Sequence, residues 1–327
     1  MHFAKGHGTE NDFVILPDPD GELDLTPGLV RRLCDRRAGI GADGVLRIVE
    51  VEVLAAALTE SGPGAFRASE SPSDLLTSAA VTALASPAAI AEAGAPAGEP
   101  GGRLAAQWFM DYRNADGTVA EMCGNGVRVF TRYLLDHGLA GGPDLAIETR
   151  AGARHVHVEP DGKITVDMGP ASLLGEARAS VGGIGCDGLR VSVGNPHLAC
   201  VVESPLDGYD FSAPPTVDPA LFPDGANVEL VRLTGARSAQ MRVYERGSGP
   251  TRSCGTGAVA AAVAAAEATG ERGGSWDIRV PGGDLTVTLG PSARLTGPAV
   301  IVAEGQLSPA WLAASSRRPG GQAQPGL

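Results

Sequence analysis

The sequence predicts an α+β protein built from two similar units, each a sheet around one central helix. Three observations carry that expectation. Short strands set off by turn residues dominate the second half of the chain, and two helix-like segments interrupt them, the second apolar on every side. These helices begin alike, with Cys123-Gly124-Asn125-Gly126 opening one and Cys254-Gly255-Thr256-Gly257 the other, 131 residues later. Nine residues before each cysteine a strand ends on a polar side chain, Asn114 in the first copy and Glu245 in the second. Strand, turn, Cys-Gly-x-Gly and helix thus recur at one internal spacing, the mark of a duplicated unit.

The elements follow in order. A strand is expected at Phe13–Leu16, then a turn rich in Pro and Asp, a helix at Pro27–Asp35 and a strand at Gly44–Val53. Composition then changes: 17 of the 52 residues from Ala55 to Ala106 are alanine, and Phe66 is the sole aromatic there. Such a stretch lacks the large side chains that offset ordering entropy, so it reads as an insertion or mobile loop, with short helices allowed around Ser73–Ala85. Alternation resumes at Gln107–Arg113, and the first Cys-Gly start leads into a helix through Val127–Leu135. Strands are expected at Asp144–Glu148, His155–Val158, Lys163–Met168, Leu189–Val193, Leu198–Val202 and Met241–Glu245. After the second helix they continue at Trp276–Val280, Asp284–Leu289 and Ala299–Glu304. Gly257–Ala266 is apolar on every side, which means a helix enclosed by other structure. The chain therefore divides into an N-terminal unit, 1–167, carrying Cys123 and the 55–106 insertion, and a C-terminal unit, 168–298, carrying Cys254. A tail, 315–327, is expected to be disordered.

Composition bounds the function. A chain of 327 residues with 43% apolar and 20% charged side chains fits two ordinary globular domains at about 150 residues each. A net charge of −12 argues against nucleic-acid and anionic-membrane partners, but a small anionic substrate can still meet a locally positive pocket. No apolar run approaches the roughly 18 residues of a bilayer span, and the first residues lack a signal-peptide core. Five widely spaced cysteines, an odd number, suit a reduced, cytoplasmic protein. Neither CxxC nor HExxH occurs, so no metal is expected. Gly39-Ile40-Gly41-Ala42-Asp43-Gly44 satisfies GxGxxG, yet a helix precedes it and a strand follows. The dinucleotide motif needs the opposite order, so no nicotinamide cofactor is expected.

The two Cys-Gly starts have specific chemistry. A cysteine at a helix N-terminus meets unpaired N–H groups and the positive end of the dipole, which favour its thiolate. Glycines beside it let a carboxylate reach those N–H groups. Two such ends facing each other would hold an amino acid's α-carboxylate and offer a sulfur to each face of its α-carbon. One thiolate would take the α-proton and the opposite thiol would return one, which is acid–base catalysis without a cofactor. Because an α-proton is far less acidic than a thiol, such a site needs preorganised donors and exclusion of water. Cys34, Cys186 and Cys200 lack this context and read as small buried hydrophobes.

Seven stretches extend the pattern: Lys5–Phe13, Gly39–Gly44, Asn114–Gly117, Glu121–Gly126, Gly194–His197, Glu245–Gly247 and Ser253–Gly257. In content and order they resemble the diaminopimelate epimerase family, over most of the chain outside 55–106 and the tail. The resemblance implies two mostly antiparallel, barrel-like sheets around central helices, with the site in the cleft between them. It also implies a final strand, about 299–307, returning to the first unit, and a homodimer. The reaction implied is conversion of LL- to meso-2,6-diaminopimelate, in lysine and peptidoglycan precursor synthesis, with no cofactor. Cys123 and Cys254 become the acid–base pair, Cys254 as proton acceptor and Cys123 as donor in the LL-to-meso direction. Asn11, Asn114, Asn195, Asn227, Glu245 and Arg246 become substrate contacts. The backbones of Gly124, Asn125, Gly255 and Thr256 become the α-carboxylate site. Arg246 suits the distal carboxylate, and the Asn side chains with Glu245 suit the distal ammonium. His197 reads as a turn residue beside Asn195. Gly44 departs from relatives that carry a substrate-contacting Gln there, so no side-chain contact is expected.

A two-cysteine racemase of the proline or hydroxyproline type is the alternative, although such enzymes generally lack the Asn11-Asp12-Phe13 and Glu245-Arg246 elements. The cysteine-free isomerases of phenazine biosynthesis are excluded by the two Cys-Gly starts. A thiol switch closing a Cys123–Cys254 disulfide is compatible with the epimerase reading. A binding protein would keep the pocket and exchange no α-proton.

Overall fold

The structure, a computed structural model, describes residues 1–61, 105–271 and 273–315. Strand β1 (His2–Gly8) turns tightly into β2 (Asn11–Pro17), and helix α1 (Pro27–Cys34) leads to β3 (Gly44–Glu50), parallel to β2. Thr26 caps α1 by accepting from Leu29 N–H at 3.2 Å, and Pro27 fits its first turn. Strand β4 (Trp108–Asn114) runs antiparallel to β3, and helix α3 (Gly124–Asp136) then crosses to β5 (Asp144–Glu148), parallel to β4. Strands β6 (Arg154–Val158) and β7 (Ile164–Gly169) follow antiparallel. The last strand, β18 (Val300–Gln306), pairs antiparallel with β1.

The second half repeats this order. Strands β8 (Ser172–Val181), β9 (Ile184–Ser192), β10 (Pro196–Val201), β12 (Asn227–Gly235) and β13 (Ser238–Glu245) come first. Helix α4 (Gly255–Thr269) follows, then β15 (Gly274–Val280), β16 (Gly283–Leu289) and β17 (Ala293–Gly297). Two short strands, β11 (Thr216–Val217) and β14 (Gly249–Thr251), pair with β8 and β13. From β18 to β7 and from β8 to β17, neighbouring pairs run antiparallel, antiparallel, parallel, antiparallel, parallel, antiparallel, antiparallel. Strands β7 and β17 then pair with each other, joining the two ladders. The architecture is α+β.

Each half curls around its own helix, α3 against β1, β7 and β18, and α4 against β10, β12 and β16. The sequence of α4 explains how a helix fits there. Ala258 and Ala260–Ala262 and Ala264–Ala266 are buried on all sides, so the strands approach its backbone closely. Gly270, at φ 71°, ends it in the left-handed conformation that glycine adopts at no steric cost. One core runs through both halves, from Phe13 and Phe130 to Trp276 and Leu295. Helix α1 packs outside it with Leu307 and Trp311. Beneath β4, fully buried Asp111 binds Arg113 Nε at 2.9 Å and Arg150 Nη2 at 2.5 Å. Burial opposes its charge, yet those guanidinium groups hold its carboxyl below the usual range.

Several expectations are corrected. The strand expected to reach Val53 stops at Glu50, and helix α2 (Val51–Ser61) takes over, covering the start of the alanine-rich stretch. Alanine, leucine and glutamate favour helix there once the strand's cross-pairing ends. The rest of that stretch, with the expected short helices near Ser73–Ala85, lies outside the described residues, as does the tail beyond Ser315. Ser315 itself closes a last helix, α5 (Pro309–Ser315), anchored by Trp311 Nε1 donating to Ala38 O at 3.0 Å. Strands β1, β8, β12 and β17, and the short β11 and β14, fall outside the sequence expectation. Alternation is masked by glycines in β1, by mostly exposed residues in β8, and by a buried charge, Glu229, in β12.

Leu295, fully buried on β17, lies beneath the first residues of both central helices. Leu295→Ala is expected to lower unfolding free energy by about 2–4 kcal/mol, read from urea denaturation. A change under about 0.5 kcal/mol would mean the junction does not depend on it.

Candidate active site

Cys123 and Cys254 occupy equivalent positions, each the N-cap of its helix in extended conformation. Cys123 Sγ accepts from Gly126 N–H at 3.4 Å, and Cys254 Sγ from Gly257 N–H at 3.4 Å. The two helix starts meet. A Cβ built on Gly255 would stand 3.4 Å from Gly124 Cα and from Asn125 N, and 3.1 Å from Leu295. One built on Gly124 would stand 2.8 Å from Met168. Glycine at both positions is what lets two rows of free N–H groups converge.

The surroundings of Cys123 fix one amide. Asn11 donates from Nδ2 to Asp43 Oδ2 at 2.8 Å, which turns its Oδ1 towards Asn125 Nδ2 (3.2 Å) and Cys123 Sγ (3.8 Å). Asp43 closes the glycine-rich loop, so that motif serves to hold Asn11. Arg36 bridges Asp43 and Asp12 at 2.6 and 2.8 Å, and Lys5 binds Asp12 at 2.6 Å. Burial works against the Asp12 charge, but Arg36 and Lys5 hold its carboxyl well below the usual range. Asn125 is fully buried and also donates to Ser253 O and Oγ at 3.2 Å. Asn114 ends β4 beside Gly44, its amide donating to Thr118 Oγ1 at 3.0 Å.

Around Cys254, Thr256 Oγ1 lies 3.5 Å from the sulfur and accepts from Asn195 Nδ2 at 3.4 Å. Asn195 Oδ1 meets His197 Nε2 at 2.9 Å, and His197 Nδ1 meets Glu229 Oε1 at 2.7 Å; both latter residues are fully buried. His197 therefore links Asn195 to Glu229 rather than simply shaping a turn. Glu245 accepts from Thr251 Oγ1 and from the Cys254 thiol. Asn227 accepts from Arg246 N–H at 2.9 Å, and the exposed Arg246 guanidinium reaches Asp224 O at 3.4 Å. The structure thus gathers Asn11, Asn125, Asn195, Thr256 and Glu245 about the two cysteines. Asn114, Asn227 and Arg246 stand at the strand ends around them.

The electrostatics correct one expectation. Helix starts favour thiolates, yet both thiols are shifted up. Burial pushes Cys123 up to about 11; the Gly126 N–H opposes this, and Glu245's charge adds to it. Burial and the charges of Glu245 and Glu229 raise Cys254 well above its ordinary value. Taking a charge out of water outweighs one or two N–H dipoles here. Burial likewise raises Glu245 and Glu229. Tyr112, missed in the sequence, belongs here. Burial first, then the charges of Cys123, Glu245, Asp43 and Cys254, raise its phenol. A Cβ on Gly44 would stand 2.7 Å from Tyr112 Cε2, so this ring fills the space a side chain at 44 would need. Among the described residues no cluster of three or more His, Cys, Asp or Glu side chains is placed to hold a metal.

A sequence profile described as diaminopimelate epimerase matches residues 100–174 and 189–306. A diaminopimelate epimerase of Thermobifida fusca is 54% identical over 308 residues, covering 94% of this chain and 98% of that protein. One of Mycolicibacterium smegmatis is 46% identical over 321 residues, covering 95% and 98%. The chain belongs to the diaminopimelate epimerase family. Solved structures echo the family fold at low identity. A Bacillus anthracis phenazine biosynthesis protein of the PhzF family aligns with TM-score 0.59 at 14% identity, covering 94% of this chain and 99% of that one. A hydroxyproline epimerase from Agrobacterium vitis aligns with TM-score 0.57 at 14%, covering 93% and 91%. No helix among the described residues of this diaminopimelate epimerase family member is long and apolar enough to cross a membrane.

Of its five free cysteines, Cys123 alone is partly exposed. Iodoacetamide is therefore expected to label Cys123 first and slowly at neutral pH. With a thiol shifted up to about 11, the thiolate fraction grows about tenfold per pH unit below that value, so labelling should keep accelerating beyond pH 9. Peptide mass spectrometry across pH 6–11 reads this directly; a plateau beginning near pH 8 would mean the helix N-terminus outweighs burial.

Proposed function

We propose that this chain interconverts LL- and meso-2,6-diaminopimelate by moving a proton at the α-carbon between Cys123 and Cys254. The observation that carries this is the meeting of two Cys-Gly helix starts, together with the family to which the chain belongs. The enzyme is an isomerase that acts on a small diamino dicarboxylic acid and contributes to lysine and peptidoglycan precursors.

The substrate's α-carboxylate sits on the backbone N–H groups of Gly124, Asn125, Gly255 and Thr256, where the positive ends of two helices favour an anion. That places the α-carbon between the sulfurs. In the LL-to-meso direction the Cys254 thiolate takes the α-proton: the Cα–H bond breaks, an S–H bond forms, and the electron pair stays on the α-carbon, delocalised into the carboxylate. The Cys123 thiol then gives its proton to the opposite face. Turnover leaves the thiol and thiolate exchanged, so the reverse reaction starts from Cys123. Burial shifts both sulfurs towards the thiol form; an α-ammonium beside them offsets the cost of a buried thiolate.

The distal end of the substrate meets Arg246 through its carboxylate and Glu245 with Asn11, Asn114, Asn195 and Asn227 through its ammonium. The two halves differ in a way that supports this. Gly44 pairs with Phe13 as Asn227 pairs with His197, so 44 and 227 are equivalent positions. The first is roofed by the Tyr112 ring, whereas the second carries an amide that anchors Arg246. The fold likeness to a hydroxyproline epimerase speaks to architecture, and a proline-sized substrate would leave Arg246 without an ionic partner. We also read 1–167 and 168–298 as two epimerase units, and the protein as a cytoplasmic homodimer without a nucleic-acid partner or resident cofactor.

Proton NMR of LL-diaminopimelate in deuterated water tests the reading, with reduced wild type beside Cys123→Ala and Cys254→Ala. Loss of the α-proton signal with growth of the meso isomer is expected for wild type, and no inversion in either variant. Turnover of proline or hydroxyproline with none of diaminopimelate would replace it by the racemase alternative.

A further inference from the structure

The β1–β2 turn holds a conformation its residues disfavour. Thr9 and Glu10 have φ of 51° and 60°, among the described residues the only non-glycine positions with positive φ. A two-residue hairpin with both central residues left-handed calls for Asn-Gly, and a β-branched residue there is a true outlier. Contacts from the other half over-determine it. Thr9 Oγ1 lies 2.6 Å from Ser253 Oγ, Glu10 pairs with Arg252, and the Thr9 carbonyl rests on Gly282, where a Cβ would stand 1.8 Å from its oxygen. Arg128, fully buried on the Cys123 helix, donates to Thr9 Oγ1 at 3.2 Å.

The same hydroxyls reach both cysteines. Ser253 immediately precedes Cys254 and accepts, through O and Oγ, from Asn125 Nδ2 at 3.2 Å. Asn125 follows Cys123 by two residues, and its amide also donates to Asn11 Oδ1, which stands 3.8 Å from Cys123 Sγ. One hydrogen-bonded set thus ties the residue before one sulfur to the first turn of the other helix. Thr9 is 2% exposed and Ser253 and Asn125 are 0%, so water does not compete for these bonds.

We propose that Thr9 and Ser253 are positioning residues that set the two cysteine-bearing helix starts against each other, a role no sequence motif assigned them. The inference rests on the reading that both sulfurs address one carbon. Two-sided proton transfer demands that both be in reach at once, and a misplacement of about 1 Å can cost a hundredfold. Strain of this kind persists where surrounding contacts over-determine it, and it clusters at working sites. The Thr9 turn meets both conditions.

The full chain carrying Thr9→Val, Ser253→Ala, both together, or Thr9→Ser tests it. Ser253→Ala removes one hydroxyl without touching the strained turn, so it reports even if Thr9→Val folds poorly. Expected are a kcat lower by roughly ten- to a hundredfold at KM within about twofold, and a double variant little worse than either single. Thr9→Ser should restore most of the rate. In deuterated water the ratio of α-proton exchange to inversion should rise, because a sulfur can still take the proton while its opposite donor is displaced. A second reading needs no substrate. Asp43 keeps Asn11 in place, so a displaced Cys123 helix start moves the sulfur relative to Asn11 Oδ1 and to its cover, and the pH profile of iodoacetamide labelling should shift in both single variants. Wild-type kcat per folded molecule with only a lower melting temperature overturns the proposal, as does an unmoved labelling profile. A wild type inactive on diaminopimelate, with the profile still shifted, would instead remove the assigned substrate and leave the positioning role standing.

Discussion

Two helix N-termini brought into contact are the constraint from which the rest of this structure follows. Each presents unsatisfied N–H groups and the positive end of its dipole, and such ends repel one another unless something negative comes between them. Their approach needs small residues at 124 and 255, since a Cβ at 124 would stand 2.8 Å from Met168 and one at 255 would stand 3.1 Å from Leu295. It also requires each helix to be enclosed by its own sheet, and the alanine-rich α4 shows how side-chain volume was removed to allow it. The pairing of β7 with β17 and the core that runs through both halves hold the two helices in register. In the proposed reading an anion between them meets the N–H groups that the helix starts leave outside their own ladders.

The same enclosure governs the acid–base chemistry. A sulfur at a helix start in water would titrate low, but in a buried site the loss of hydration decides the direction. Both thiols and the neighbouring Glu245 and Glu229 are shifted towards their neutral forms. In the proposed reaction a substrate with two ammoniums and two carboxylates brings the charges that select the thiolate. Activation is thereby coupled to binding.

Much of this was legible in the sequence because it is local. The doubled Cys-Gly-x-Gly, the strand ends nine residues before it and the enclosed apolar helix are all written within short windows. Strands with clean alternation, such as Trp276–Val280 and Asp284–Leu289, were equally plain. What escaped is what depends on distant partners. Strand β12 hides its alternation behind Glu229, a charge that makes sense only once His197 lies across from it. The helix over Val51–Ser61 was obscured by β-branched residues that continue a strand pattern before alanine takes over. Thr9, Ser253 and Tyr112 carried no signal of their own, since a hydroxyl or a phenol gains its role here from contacts over 100 or more residues away in sequence, or from an empty position such as Gly44.

Duplication explains why the site has two matching sulfurs, but the substrate has unlike ends, and the two halves have diverged accordingly. Positions 114 and 245 are equivalent by spacing, yet one is an amide that binds Thr118 and the other a half-buried carboxylate that meets Cys254. Positions 13 and 197 are equivalent by register, yet one is a core phenylalanine and the other a histidine bonded to Asn195 and Glu229. On the Cys123 side Tyr112 packs edge to face on buried Phe13, with centroids 5.9 Å apart, beside the Asn11 and Asn125 amides, while the Cys254 side carries Glu245 and the His197–Glu229 pair. A symmetric site would bind a diamino dicarboxylic acid in two equivalent orientations. In the proposed reaction, keeping the symmetry at the sulfurs and breaking it around them would let inversion run in both directions while the distal head has one side to occupy.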